Sequence, residues 1–371
     1  MKYLVWGTGN VSEENYKLYL KFSDWIEDEI IGFIDNNEEK QGTVFHNLPV
    51  YAPKDIYTIE YDAITIWVKD YEMEIRDQIS EGGILPECCK DIFANYKNAL
   101  RRRHEEDYEP ELKQLLDKIS QTQTVGVYFY TPANANKIYH EVMWDESVRM
   151  HFILFEGKRM YLKRSWEDFI YKDGKKYINY VYGEQDLNSP HLYEFDQVVV
   201  EKGDVLIDAG ACEGNFSLHN IEKVSRVYLV ESDPEWMDAL RNTFAPYGEK
   251  VIYIDKFLSD HDDEICTKID TFVTSAVNFI KMDIEGEELH ALKGAEQVLQ
   301  SNTDIKCAIC AYHRHDDEIE IKKILEQTGF DVGVSKGYML FHGDPYIISH
   351  PELRRGIVRG KKILEKTKGR L

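Results

Sequence analysis

Apolar and polar positions alternate along this chain in two separate stretches of strand and helix periods. In the first, YLVWG (3–7), IIGFIDN (30–36) and YDAITIW (61–67) are short apolar runs rich in β-formers. A helical pattern, NYKLYLKFSDWI, separates the first two. That is βαβ order and predicts a small parallel sheet over residues 1–95. In the second, DVLIDAG, RVYLVES, VIYID, FIKMD, IKCAICAY and VGVSKGYMLF recur between helical patterns over residues 201–345. Between the two lie a charged helical linker, 96–122, broken at Pro110, and a tyrosine-rich, strand-like segment, 123–200. Within that segment Glu156-Gly157 and Asp173-Gly174 are hairpin signals. Residues 346–371 read as a basic tail, in the simplest case a solvated terminal helix, otherwise a contact for an anionic lipid or a phosphorylated substrate. The fold class expected is α/β: two Rossmann-like sheets, the smaller one N-terminal, joined through a β-rich segment.

Composition narrows the partners. The 371 residues carry a formal charge of −22, which repels phosphate backbones and argues against nucleic acid. No apolar run approaches the ~18 residues of a membrane span. The opening MKYLVWGTGN lacks a secretory-leader pattern. The six cysteines show no disulfide framework, and Cys307 and Cys310 should face opposite sides of one strand. A cytoplasmic protein with reduced thiols is therefore expected.

The sharpest chemistry lies in VLIDAGACEGNFSLHN (205–220). A strand ends at Asp208, and Gly210 and Gly214 then permit positive φ and close approach to a ligand. The next strand ends at Glu231, where a carboxylate can accept both hydrogens of a ribose diol. The glycines do not follow the dinucleotide pattern G-x-G-x-x-G, and an acid stands beside them. That combination suits a nucleoside without phosphate that carries a positive centre, such as S-adenosylmethionine. IKMDIEGEELHAL (280–292) then places Asp283 at a fourth strand end, followed by Glu285, Glu287 and Glu288. Asp283 reads as facing the cationic donor or taking a proton from the acceptor. Glu287 and Glu288 read mainly as first-turn acids of a helix striped by Leu289, Leu292, Ala295 and Leu299. Glu285 fits either role.

Together, VLIDAGACEGNFS, VYLVESDP, LSD, TKIDTF, FIKMDIEGEELHALKGAEQVL and the Tyr312-His313 pair resemble the FkbM-type methyltransferases, from about Ser189 to Phe341. The resemblance implies a class I methyltransferase fold, S-adenosylmethionine as donor, and usually O-methylation of a sugar or related hydroxyl. By position it places Asp208, Gly210, Gly214 and Asn215 in the donor loop. It places Glu231 at the ribose, Phe257 and Leu258 beside adenine, Asp283 and Glu285 at the methyl group, and His191 closing over the donor. The chain departs from the E-x-H pattern after the fifth strand, where it has Cys310-Ala311-Tyr312-His313. His313, neutral at an unperturbed pKa near 6.5, is the first candidate base and Asp283 the alternative. With His315, Asp316 and Asp317 these could make an oxygen-rich cation site. The favoured reading is a solvated helix start, so no metal is expected.

In the N-terminal sheet, Gly7 and Gly9 could cradle a phosphate and Asp35 hold a ribose, giving a second nucleotide or nucleotide-sugar site. This stretch is similar to the N-terminal domains of bacterial sugar acyltransferases. Trp166 and the tyrosines of the middle segment read as the packed side of a hairpin rather than as a platform for a sugar. The function expected is O-methylation of a sugar or glycan precursor. The alternatives are an NAD-dependent oxidoreductase of nucleotide sugars and a non-enzymatic glycan-assembly protein. Oligomerisation is compatible with the sequence and not specified by it.

Overall fold

A computed structural model describes residues 1–68, 71–122, 125, 140–166 and 181–362. The chain divides into two compact units, Met1–Phe129 with Leu340–Leu353, and Tyr130–Met339 with Arg354–Leu371.

The N-terminal unit is built on strands β1 (Lys2–Trp6), β2 (Glu29–Ile34), β3 (Val44–Phe45), β4 (Leu48–Tyr51) and β5 (Ala63–Ile66), in the order β3-β4-β2-β1-β5. β1 runs parallel to β2 and β5, as βαβ order requires. Leu4, Trp6, Ile34, Ile64 and Ile66 pack with Ile75 and Ile79 of the helix Glu72–Glu81. The linker expected over 96–122 is two helices, Ala94–Arg103 and Pro110–Gln121, with Pro110 at the first position of the second. Its Leu112, Leu115, Leu116 and Ile119 are buried, so these helices belong to the unit's core. Residues 340–353 return to this unit, where Leu353 N–H donates to His104 Nε2 at 2.9 Å.

His342 lies buried in this unit, edge-on to the Phe22 ring. Burial, helped by nearby Lys21, drops its pKa from 6.5 to about 3. The unfolded chain thus binds a proton at this histidine below pH 6.5, and the folded one does not until about pH 3. This contribution to stability is complete above pH 6.5 and is lost as pH falls through that window. At pH 5 the loss is about 2 kcal/mol, at ~1.4 kcal/mol per pH unit. Urea unfolding of this unit for wild type and His342→Leu should diverge in slope below pH 6.5, with the variant less sensitive to acid.

The C-terminal unit opens with an antiparallel meander, β6 (Met143–Asp145), β7 (Met150–Phe155) and β8 (Lys158–Tyr161). The expected turn at Glu156-Gly157 is present, with both residues at positive φ. Met150, Phe152 and Tyr161 pack on Trp236 and Ala239 of the helix Pro234–Phe244. Trp166 stands edge-on to Trp236 at 4.7 Å, as the packing reading expected. The Asp173-Gly174 signal lies outside the described residues.

The main sheet contains β9 (Val205–Ala209), β10 (Arg226–Val230), β11 (Val251–Ile254), β14 (Phe279–Met282), β15 (Lys306–Cys310), β16 (Phe330–Val334) and β17 (Ile357–Lys362). Its order is β11-β10-β9-β14-β15-β17-β16, with β17 antiparallel to both neighbours. A short pair, β12 (Phe257–Leu258) with β13 (Cys266–Thr267), stands apart. The basic tail expected from residue 346 is therefore not a solvated helix, because residues 357–362 form an interior strand. Its charges misled because they look solvent-facing, yet they end on backbone carbonyls. Arg359 donates to Leu192 O and Tyr193 O, and Lys362 to Leu299 O at 2.6 Å. Residues 363–371 lie outside the described residues. All six cysteines are free thiols, and Cys307 packs in the core while Cys310 Sγ lies 3.5 Å from His191 Nε2. Among the described residues no helix is long and apolar enough to cross a membrane.

Candidate active site

The parallel strands β9, β10, β14 and β15 end at one edge of the C-terminal sheet. Strand order reverses between β9 and β14, the place where open α/β sheets bind ligands. The loop after β9 turns sharply here. Gly210 has φ +72°, and a Cβ on it would lie 1.7 Å from the Asp283 carbonyl oxygen. A Cβ on Gly214, at φ +77°, would press into Leu240 and Phe244 of the helix Pro234–Phe244. Both glycines thus let the loop nest against its own unit.

The charges are not all free to meet a ligand. Asp208 is fully buried, paired with Lys281 Nζ at 3.1 Å, and accepts from Ser217 Oγ at 2.7 Å. Lys281 also donates to Gly210 O at 2.6 Å and stands 5.3 Å from the Tyr193 ring centre. Burial alone would lower the ammonium's pKa, but Asp208 and Asp283 hold it above its ordinary value. Asp208 therefore anchors the loop through Lys281 instead of facing a donor. Glu231 remains partly exposed, and its two oxygens accept from Cys212 N–H at 2.9 Å and Asp233 N–H at 2.8 Å. Those bonds fix the carboxylate and leave lone pairs for a diol. Glu213, inside the loop, is buried with Oε1 unpartnered, and burial pushes its pKa up to about 7.

Asp283 is the hub of the edge. Its Oδ2 accepts from Tyr193 O–H at 2.7 Å and lies 3.3 Å from His191 Nε2. Its Oδ1 lies 3.4 Å from His313 Nε2 and 3.5 Å from Tyr312 Oη. Burial would raise its pKa, but the His191 hydrogen bond and the charges of His191, His313 and Lys281 hold it well below the carboxylate range. His313 is buried, with Nδ1 2.9 Å from Glu288 Oε1 and Nε2 3.8 Å from Glu285 Oε2. Burial lowers its pKa, yet Glu288, Asp283 and Glu285 outweigh this and bring it to about 9. At neutral pH the imidazole already carries its second proton. The expectation of a neutral histidine base is corrected on that ground.

Residues 245–332 match the family model described as Methyltransferase FkbM domain. Over these residues the C-terminal unit is similar to the FkbM methyltransferase domain. That match includes Asp283, Glu285, Glu288 and His313, while the loop 208–215 and Glu231 precede it. Residues 1–87 match the model described as C2185-like, N-terminal, which says nothing of sugar acyltransferases. No curated protein matches the chain. Among solved structures, the methyltransferase FkbM from Methylobacillus flagellatus KT is similar at TM-score 0.50 and 14% identity, over 97% of this chain and 89% of that one. This likeness shows a shared class I methyltransferase fold and no more. Precorrin-6y C5,15-methyltransferase from Geobacter metallireducens GS-15 gives TM-score 0.32, 14% identity, and coverage of 44% of this chain and 84% of that one. An rRNA methylase from Streptococcus thermophilus gives 0.34, 15%, 45% and 90%. Nothing rests on these last two.

Within this unit, the structure brings His191, Asp283, Glu285 and His313 together. Asn215 opens the short helix Asn215–Asn220 behind Gly214. Leu258 does not face a ligand edge. It is buried in the core with Ile269, Ala291 and Ala295 because it points inward from the β12–β13 pair. Phe257 beside it is 54% exposed. Glu287 precedes the helix Glu288–Lys293 and is exposed, in keeping with a helix-start role. Glu288 is the first-turn acid that was expected, but it is fully buried against His313. Asp317 is likewise buried and caps the turn by accepting from Arg314 N–H at 2.7 Å.

Sequence reading missed Lys281, Tyr193, Glu213 and Glu288 as site residues. Lys281 left a signal, since a lysine inside an apolar parallel strand requires a buried anion. In the N-terminal unit, Asp35 accepts from Thr8 N–H at 3.0 Å, from the Thr8 hydroxyl and from Asn37 N–H at 2.9 Å. These bonds clasp its own glycine loop. A Cβ on Gly7 would meet Trp67 O at 2.9 Å, so Gly7 serves packing, whereas Gly9 has open space.

Proposed function

We propose that the C-terminal unit is an S-adenosylmethionine-dependent methyltransferase that O-methylates a sugar or glycan-precursor hydroxyl. The observation carrying this reading is the meeting of the Gly210 loop with Asp283 at the strand-order reversal, with Glu231 one strand away. Glu231 takes the ribose diol. Asp283 supplies negative charge for the donor's ammonium and sulfonium, while Asp208 is neutralised by Lys281. Methyl transfer leaves a neutral thioether, so no acid is needed, and alignment of the hydroxyl with the methyl group does most of the work.

The hydroxyl proton must still leave. His313 is already protonated and Asp283 is strongly acidic, so neither suits the task. Glu285 does, because its side chain is 84% exposed and can hand the proton to water. A sugar acceptor is supported by the exposed carboxylate at this edge, which can also accept from neighbouring hydroxyls. The test is transfer of a labelled methyl group from S-adenosylmethionine to a panel of free and nucleotide-linked sugars. Glu285→Gln should lower kcat by about 10²–10⁴ with donor binding unchanged. Methylation of none of these sugars, or an unchanged kcat in the variant, would contradict the assignment.

A further inference from the structure

Arg314 follows His313 and lies against the loop that carries Glu285. That loop turns through two consecutive left-handed residues, Glu285 at φ +57° and Gly286 at φ +97°. A side chain in that region costs energy that glycine escapes, and such strain gathers at functional sites. The bend leaves the Glu285 carboxylate exposed and a bare Cα at Gly286. The Arg314 guanidinium occupies the space a side chain there would need. A Cβ on Gly286 would stand 2.6 Å from Arg314 Nε and 3.0 Å from its Cζ. The exposed carboxylate and the guanidinium therefore share one short stretch of backbone.

The guanidinium is only weakly committed. The Arg314 N–H serves Asp317, but the side chain's one ion pair among the described residues is to Glu287 Oε1 at 3.9 Å, beyond hydrogen-bond reach. Glu287 gives its other oxygen to His290 Nδ1 at 2.8 Å. Arg314 and Glu287 are both half-exposed, so their pairing contributes little stability. The surroundings are acidic. Glu285, Glu287 and Asp316 are exposed around it, on a chain of formal charge −22. A neutral acceptor needs no cation here, whereas an anionic one would be repelled without it.

We propose that Arg314 binds an oxyanion, carboxylate or phosphate, on the hydroxyl-bearing acceptor, so that the acceptor is an acidic or phosphorylated sugar rather than a neutral one. This deepens the methyl-transfer reading above and rests on it. An arginine's planar fork grips either anion through two parallel hydrogen bonds, which fixes the direction of the sugar as well as selecting its charge. Anchored there, the acceptor presents a hydroxyl to Glu285 across the Gly286 backbone. Arg314 takes no part in the bond exchange and acts on specificity alone.

Glucose, glucuronate and glucose 1-phosphate, probes on one sugar skeleton, separate the charges. Their binding to the full chain is followed by saturation-transfer nuclear magnetic resonance, and S-adenosylmethionine binding is measured by calorimetry on the same sample. At least one anion should bind about 10–100-fold more tightly than glucose, the scale of hydrogen bonds to a charged group. The anion preferred identifies the source as carboxylate or phosphate. Arg314→Gln should abolish the preference, and Arg314→Lys, which keeps the charge without the fork, should retain part of it. Glu287→Gln should leave it intact, since the Glu287 pair is not what Arg314 serves. Donor binding should be unchanged in all three variants. The proposal is overturned if glucose binds as tightly as both anions, or if neither anion binds at about 10 mM, tenfold above a Kd of about 1 mM. A preference that survives Arg314→Gln, or that Glu287→Gln removes, overturns it equally. Donor binding without an anion preference defeats the Arg314 assignment alone. An anion preference without donor binding defeats the methyl-transfer reading alone.

Discussion

Gly210→Ala should cost the C-terminal unit about 3–5 kcal/mol, among the largest effects of any single substitution in it. Two penalties add. The backbone sits at φ +72°, where an L side chain costs ~1–2 kcal/mol. The new methyl group would also stand 1.7 Å from Asp283 O and 2.8 Å from its carbonyl carbon. Those are backbone atoms at the end of a central strand, so they cannot swing aside as a flexible side chain would. Either β14 or the loop must move, and with it Asp283. Hydrogen exchange of peptides spanning 205–215 and 279–288 measures this directly. Strong loss of protection in both is expected, with the N-terminal unit's peptides unchanged. Protection equal to wild type would refute the contact.

Lys281→Met should be similarly damaging, by about 3–5 kcal/mol, because it strands the Asp208 carboxylate without a counter-charge in a fully buried place. The loss exceeds that of a surface pair because the partner cannot return to water. Replacing both, as Lys281→Met with Asp208→Leu, should recover a large part of the stability, since a well-packed apolar pair needs no compensation. The readout is the urea midpoint of the C-terminal unit in a double-mutant cycle. A double variant as unstable as the single one would show that the pair is not coupled.

Most strands of the two sheets were legible because they are short apolar runs bounded by turn residues, as in YLVWG and DVLIDAG, whereas of VGVSKGYMLF only the opening residues lie in a strand, β16. β17 was hidden because its arginine and lysines look solvated; they are satisfied by carbonyls distant in sequence. Alternation puts Glu231 and Asp283 just past the ends of β10 and β14, as the structure has them, whereas Asp208 lies inside β9. The partners of these acids were not legible. That Asp208 is neutralised by Lys281 depends on the register of β14 beside β9, which sets Lys281 opposite Asp208. The protonated state of His313 depends on Glu288, which helical spacing presents simply as a first-turn acid. On the proposed reading, exclusion of a diphosphate at this loop therefore rests on the charges of Glu231 and Asp283 rather than on Asp208.

The central claim is that the C-terminal unit's strand edge holds an adenosyl sulfonium. Calorimetric titration of the full chain with S-adenosylmethionine and, separately, with NAD tests it most directly. The account predicts one molecule of S-adenosylmethionine per chain, with affinity falling about tenfold or more in Glu231→Ala as one ~1.4 kcal/mol interaction is lost. Binding of NAD with none of the sulfonium donor, or donor binding indifferent to Glu231→Ala, would contradict it.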